Sequence, residues 1–283
     1  MWGRDANLHR IARLDPAQDH DEIFALVTRY EFPWEYVQGT SLAFLRDFAV
    51  PSISGLLDRT GEFEHRGQKR YDDTILIGFE ATVDTLESER GRAAIRHLNR
   101  IHRRHDISDD EFVYVLATTI VGPKRFIDAY GRRALHPHET AAMARVTSRF
   151  GELMGIKHLP ASYPDYEAFL DRYEAEHFRF APENRRVAEA SLRIVAGWYP
   201  RPLRSLVRRI GIAMLDEPLR RALGLPRQPR WLGRLVHVAL RSRARALRLM
   251  PPRPATRPYR HDPSRTYPLG YTLADLGPAG GPR

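Results

Sequence analysis

The residues of this chain best suited to chemistry are histidines near position 100. The stretch Ile95–Ser108, IRHLNRIHRRHDIS, interleaves three histidines with arginines. At 3.6 residues per turn, His102 and His105 fall within the apolar arc of a helix, whereas His97 and the arginines lie outside that arc. Polar side chains on an apolar face need buried partners. A run this basic is ordinarily a solvated helix face, which accounts for the arginines. The two histidines that point inward are not explained in this way and form the candidate site.

The preceding segment, RGQKRYDDTILIGFEAT, carries a second group of candidate residues. Arg70, Thr74 and Gly78 recur at i, i+4 and i+8 and therefore share one helix face. The small side chains on this face leave room for a flat ligand or for a closely packed helix. An arginine beside an apolar stripe normally pairs with a carboxylate, which Asp73 or an acidic cofactor group could supply. Spacing alone favours a structural role for Arg70 and Thr74.

Two Glu-x-x-His strings, Glu62–His65 and Glu174–His177, suggest an alternative. Carboxylate-bridged di-iron bundles use two such strings on separate helices, together with two further glutamates. Strings this short also arise by chance in a chain with 12 histidines, and Glu62 lies beside a glycine at a helix boundary. The phosphate-binding glycine loop, Gly-x-Ser-x-Gly and His-Glu-x-x-His are all missing. The di-iron site therefore remains a minor alternative.

Composition bounds the class of protein that must position these residues. The chain has 283 residues, of which 42% are hydrophobic and 28% charged, as is typical of soluble globular proteins. It contains no cysteine, which excludes disulfides, thiolate nucleophiles, iron–sulfur clusters and a cysteine-ligated haem. The first residues lack the apolar core of a signal peptide, and the longest uncharged stretch, Phe112–Pro123, is too short to cross a bilayer. We therefore expect a cytoplasmic protein, with peripheral membrane contact as an option.

Helix signals follow one another along the chain, and no segment has hairpin chemistry. We predict an all-α fold with one globular domain over residues 11–250 and an irregular or disordered Pro/Gly/Arg-rich extension over residues 251–283. The predicted helices include one from Asp15-Pro16 to about Tyr30 and one from about Arg66 to Leu86. Further starts are predicted at Pro33, Pro51, Ser88, Ser108, Pro137, Pro164 and Pro182.

Positive charge is concentrated near the C-terminus, where residues 201–260 hold 16 arginines and two acidic residues. Within Trp231–Met250, four arginines cluster beside an apolar arc: Arg234, Arg241, Arg245 and Arg248 against Trp231, Leu235, Val238 and Leu249. Packing of the apolar arc in the core is the favoured interpretation. An anionic membrane is the alternative partner. A nucleic acid is less suited, because no recognition module or aromatic platform is present.

Several motifs together resemble one known family. They are RGQKRYDDT, SERGRAAIRHLNRIHRRHDISDDEFVYVLAT, MGIKHLPASY, YEAEHFRFAPENRRVAEA and YPLGY, and they run in order from about Ile11 to Leu276. The chain is similar to bacterial relatives of the MpaB oxygenases, which share a catalytic domain with the rubber oxygenase, latex-clearing protein. The resemblance implies an all-helical fold enclosing a b-type haem, and O2-dependent cleavage of a carbon–carbon double bond in an apolar isoprenoid or terpenoid substrate.

By position, the resemblance assigns the proximal haem-iron ligand to His102. It implies catalytic roles for Arg70 and Thr74, either as a propionate partner or as groups that act on oxygen. His105 is implied as a haem contact, a partner of His102 or a buried histidine. The sequence departs from the rubber oxygenase at Asp73, where that enzyme has a lysine able to cap the iron, so the distal iron position is expected to be open or water-bound.

Overall fold

The computed structural model, which describes residues 5–261 and 263–278, consists of α-helices joined by loops, and these residues form no β-strand. The helices are α1 (Ala6–Ile11), α2 (His20–Leu26), α3 (Pro33–Asp47), α4 (Pro51–Thr60), α5 (Glu62–His65), α6 (Gly67–Thr82), α7 (Glu89–His102), α8 (Asp109–Tyr130), α9 (Pro137–Met154), α10 (Tyr163–His177), α11 (Pro182–Gly197), α12 (Arg204–Ala213), α13 (Glu217–Ala222) and α14 (Arg230–Leu249). A π-helix spans Val27–Glu31, and 3-10 turns span Arg201–Leu203 and Leu273–Asp275. The predicted all-α class is confirmed.

Two predicted helix boundaries were wrong for local reasons. Asp15 does not cap a helix, because its side chain accepts a hydrogen bond from the Ala17 amide within a turn (2.9 Å), and α2 begins only at His20. The histidine helix ends at His102. The chain turns there, and Ser108, in extended backbone conformation, caps α8 through a reciprocal capping box with Glu111.

Helix α8 lies at the centre of the domain. Its buried face contributes to the main apolar core together with residues of α2, α9 and α10. Helix α3 packs closely along it because a glycine, Gly39, lies where a Cβ atom would come 2.5 Å from the Pro123 Cα atom. A second core joins the end of α3 to α11, α12 and α13. The described helices thus pack into one globular domain.

The candidate site is positioned by a hairpin of α6 and α7. The six residues that join the two helices are too few to do more than reverse the chain, so the helices pack against each other as neighbours. The side chain of Ser88 starts α7 by accepting a hydrogen bond from the Gly91 amide (3.0 Å). Ala94 and Ile95 are buried, whereas Arg96 and Arg100 are exposed. The predicted orientation of this helix is therefore confirmed, and the start of α6 lies near the end of α7.

The C-terminal segment 263–278 is irregular and packs back onto this hairpin. The Tyr267 hydroxyl donates to Asp73 (2.7 Å), the Tyr271 hydroxyl donates to Glu80 (2.7 Å), and Leu276 is only 3% exposed. His97 Nε2 is 2.8 Å from the Leu276 carbonyl oxygen. The YPLGY motif is thus part of the packed domain surface.

Helix α14 corrects the expectation that its apolar arc packs into the core. Trp231, Leu235 and Val238 are 60%, 57% and 58% exposed, whereas Leu232 and Val236, on an adjoining face of the helix, are buried. The helix therefore has two apolar faces, and only the inner face is covered by the domain.

Candidate cofactor and active site

A cavity of about 1030 Å³ lies between the helices. Its volume is at the upper limit of typical small-molecule and cofactor sites, and apolar side chains make up most of its lining. Helices α3, α4, α6, α7, α8, α11, α12 and α14 all contribute to the wall. The structure brings the predicted site residues together on this wall: Arg70, Asp73, Thr74, Gly78, His102 and His105.

His102, the last residue of α7, is the most chemically distinctive group in the cavity. Its ring packs at a tilt against Phe112, with 5.2 Å between the ring centroids. The Nδ1 atom is buried and has no hydrogen-bond partner within the described chain. Burial, reinforced by the charge of Arg70 and by His105, lowers the pKa of His102 to about 4. The imidazole is therefore neutral near pH 7, the form that binds iron.

His105 also lines the cavity, but it is not on the helix of His102. It follows in the turn after α7, where its amide donates to the His102 carbonyl oxygen (3.0 Å). The expectation that both histidines belong to one helix stripe was wrong in this respect. The turn nevertheless keeps the two residues close enough for His105 to contribute to the lowered pKa of His102.

Arg70 and Thr74 lie on the α6 side of the cavity. The Arg70 guanidinium donates to the Thr74 hydroxyl and lies 5.5 Å from the Phe63 ring centroid. Within the described residues no carboxylate forms an ion pair with Arg70, and burial lowers its pKa. A cation largely removed from water needs an anionic partner. This cavity can therefore hold a ligand with an acidic group next to Arg70.

Gly78 leaves room on the same face of α6. A Cβ atom built at this position would have no heavy atom within 4 Å, because the position faces the cavity. A neighbouring helix therefore does not occupy this space, contrary to the packing alternative for the small residues of α6. The open space, about two helix turns from Arg70 on the same face, suits a broad, flat ligand.

Asp73 points its carboxylate toward the C-terminal segment and is not the partner of Arg70. Lys69 Nζ lies 2.7 Å from one oxygen, and the Gly277 amide donates to the same oxygen at 2.9 Å. The hydroxyl of Tyr267 donates to the other oxygen at 2.7 Å. In this chain, the position at which the rubber oxygenase has a lysine therefore fastens the C-terminal segment to α6.

The two Glu-x-x-His strings do not form a metal centre. Glu62 pairs with Arg66, and Glu174 forms an ion pair with Arg46. His177 stacks on Tyr173 at 4.0 Å between ring centroids, with its Nδ1 atom 3.0 Å from the Tyr173 carbonyl oxygen. No cluster of three or more His, Asp or Glu side chains that could hold a metal ion occurs in the described part of the chain. The observed ion pairs account for these glutamates without iron.

Sequence reasoning missed several residues of the cavity wall. Phe63 and Phe112 contact Arg70 and His102, but each is an ordinary apolar position in its own helix. His261 belongs to the C-terminal extension, yet it also lines the cavity. The YPLGY motif was the available signal that this extension belongs to the domain. No spacing rule could place His261 at the cavity, because the described chain from α14 to His261 is irregular.

The fold and the site define an all-α protein with a neutral histidine and a half-buried arginine on the wall of a large apolar cavity. Residues 36–249 match the family model described as "ER-bound oxygenase mpaB/B'/Rubber oxygenase, catalytic domain". The chain belongs to this family. The predicted family and its oxygenase class are thereby confirmed.

Curated relatives are fungal proteins. The chain is 27% identical over 249 residues to the "ER-bound oxygenase mpaB'" of Penicillium brevicompactum, a match that covers 81% of this chain and 59% of the relative. It is 25% identical over 211 residues to the "ER-bound oxygenase mpaB" of Penicillium roqueforti, covering 68% of this chain and 71% of the relative. The chain thus spans little more than half the length of the first relative. No helix of the described residues is both long and apolar enough to cross a bilayer.

Proposed function

We propose that this protein is a haem b-dependent oxygenase that uses O2 to cleave a carbon–carbon double bond in an apolar isoprenoid or terpenoid substrate. The observation that carries the proposal is His102, a neutral imidazole with a buried, unpaired Nδ1 atom on the wall of a cavity large enough for a cofactor and a substrate. The oxygenase names of the relatives support the reaction class.

The residues present fit a haem group. His102 would bind the iron, and Arg70, which lacks a carboxylate partner in the described chain, would pair with a propionate. The open space at Gly78 would accommodate the macrocycle. When bound, the haem supplies the capacity to bind and reduce O2, which the side chains of this chain lack.

The protein itself supplies orientation and a dry environment. Apolar residues of α3, α8 and α12 would hold the alkene and exclude bulk water. Thr74 can donate a hydrogen bond into the cavity if its hydroxyl turns from the Arg70 carbonyl oxygen, to which it now donates at 2.8 Å. Both atoms of O2 would end as carbonyl oxygens of the two products, so the cleavage requires no further reductant.

The proposed partners are an apolar small molecule and O2. A substrate of this kind partitions into lipid, so peripheral contact with an anionic membrane suits the proposed activity. The relatives are named ER-bound, which agrees with a reaction that takes place at a membrane surface.

The reaction can be tested with haem-reconstituted protein, a polyisoprenoid alkene and O2, with carbonyl products detected by mass spectrometry. We expect Arg70→Ala and Thr74→Ala to fold and to lose turnover by about a hundredfold, the typical effect of removing one stabilising donor. Arg100→Ala, on the exposed face of α7, is the matched control and should keep full turnover. Equal product from haem-free protein would contradict the proposal.

A further inference from the structure

Helix α14 presents an apolar stripe to solvent. Trp231, Leu235 and Val238 are each more than half exposed, and Leu249 at the end of the helix is 90% exposed. On a helical wheel these four side chains fall within roughly 60° of one another. We name this stripe, together with the arginines beside it, the outer face of α14. Exposed apolar side chains aligned in this way mark an interaction surface.

Three arginines border the stripe on one side. Arg234, Arg241 and Arg245 are exposed, and none forms an ion pair or hydrogen bond with another described residue. Two other arginines of the helix have partners within the domain. Arg243 pairs with buried Glu35 at 2.6 Å, and Arg248 Nε donates to the Arg132 carbonyl oxygen at 2.7 Å. The three bordering arginines, together with exposed Arg230 at the start of the helix, are therefore available to an external partner.

The inner side of the same helix forms part of the cavity wall. Val236 and Leu240 line the cavity from α14, and Ile210 and Met214 line it from α12 and its C-terminal end. The two helices pack against each other. Helix α12 has a second pair of exposed apolar side chains. Leu203 immediately precedes the helix and Leu206 lies within it, and each is 46% exposed. One layer of helix thus separates the outer face from the cavity.

We propose that the outer face of α14 docks on the surface of an anionic lipid bilayer. A helix with a tryptophan-containing apolar stripe and bordering arginines lies in the membrane interface, with its apolar side chains among the acyl chains and its arginines at the anionic headgroups. A second copy of the chain suits this face less well, because a two-fold contact would bring like charges together. The bound orientation places the cavity wall next to the bilayer. An apolar substrate would then enter the cavity from the lipid, and this consequence rests on the proposed function.

The experiment is flotation of full-length protein with vesicles of phosphatidylcholine alone or phosphatidylcholine containing phosphatidylglycerol. We expect recovery with the anionic vesicles to exceed that with neutral vesicles and to fall with added salt. Each basic group near the surface strengthens partitioning about fivefold, so Arg234→Gln, Arg241→Gln and Arg245→Gln together should weaken it on the order of a hundredfold. Trp231→Ser with Leu235→Ser should also abolish flotation.

A matched control replaces three exposed arginines elsewhere with glutamine: Arg96, Arg100 and Arg145. This variant loses the same charge and should float like the wild type. Equal recovery of wild type with both vesicle types, or equal loss in both triple variants, would overturn the proposal. The proposal would also be overturned if the protein bound duplex DNA through the α14 arginines and did not bind the vesicles. Flotation requires no turnover, so its failure is distinguishable from failure of the oxygenase proposal.

Discussion

Replacement of Asp73 should weaken the attachment of the C-terminal segment to α6. The Asp73 side chain is 3% exposed and accepts hydrogen bonds from Lys69, Tyr267 and the Gly277 amide. In Asp73→Ala, Lys69 keeps the carbonyl oxygens of Asp275 and Gly277 as acceptors (3.0 and 2.9 Å), and Tyr267 keeps that of Asp275 (2.9 Å). Only the Gly277 amide loses its hydrogen-bond acceptor.

The free-energy cost follows from this inventory. A hydrogen bond to a charged group contributes about 1.5–3 kcal/mol, and because two donors keep other acceptors we expect Asp73→Ala to lower the free energy of unfolding by about 3 kcal/mol rather than by the sum of three bonds. Asp73→Asn retains an oxygen for Lys69 and Gly277 and should cost about 1 kcal/mol. Asp128→Ala, which removes the more exposed i,i+4 pair with Lys124 and the hydrogen bond from the Leu135 amide (3.0 Å), is the control and should cost about 1.5 kcal/mol.

Urea unfolding followed by circular dichroism measures these differences, and limited proteolysis shows whether residues 263–278 have become accessible. The reasoning would be refuted if Asp73→Ala and Asp73→Asn cost the same, or if Asp73→Ala cost less than Asp128→Ala. Equal costs would mean that the acceptor oxygen retained by Asn contributes nothing, and a cost below that of Asp128→Ala would mean that the carboxylate does not hold the segment.

Other predictions concern the cavity and the rejected iron ligands. Folding lowers the pKa of His102 from 6.5 to about 4, so between these pH values the unfolded haem-free chain binds more protons than the folded one. The free energy of unfolding of the haem-free protein should therefore fall as the pH drops through this window. The loss should reach roughly 3 kcal/mol and be absent from His102→Gln, as acid unfolding series would show. Gly78→Leu should fold normally but lose haem uptake in titrations, because its side chain enters the cavity, whereas Gly197→Leu, outside the cavity lining, should keep haem uptake. His177→Ala should leave haem content unchanged by pyridine haemochrome assay, whereas a large loss would reopen a metal-binding role for that residue.

Much of the hairpin that carries the site could be predicted from the sequence. Helical periodicity gave the inward direction of His102 and the outward direction of the arginines, and the capping residues Ser88 and Ser108 located two helix starts. The shared face of Arg70 and Thr74 followed from their i, i+4 spacing. These features are local, so they are encoded within a few turns of helix.

Features that depend on distant contacts could not be predicted. The periodicity of α14 showed an apolar stripe, but it could not tell which of the two apolar faces the domain covers. Asp73 looked like a partner for Arg70 because the two are close in sequence, whereas a tyrosine and an amide about 200 residues away take its carboxylate. His105 was misplaced because α7 ends at His102, three residues before it.

The central claim is that His102 binds haem iron in this cavity, and the visible spectrum of haem-titrated protein tests it most directly. We expect an intense Soret band for the wild type and for His97→Ala, whose histidine bonds the Leu276 carbonyl oxygen and does not line the cavity. His102→Ala should lose the band or retain haem only weakly. An unchanged Soret spectrum in His102→Ala would contradict the assignment, and a wild type that binds no haem would contradict the proposed function itself.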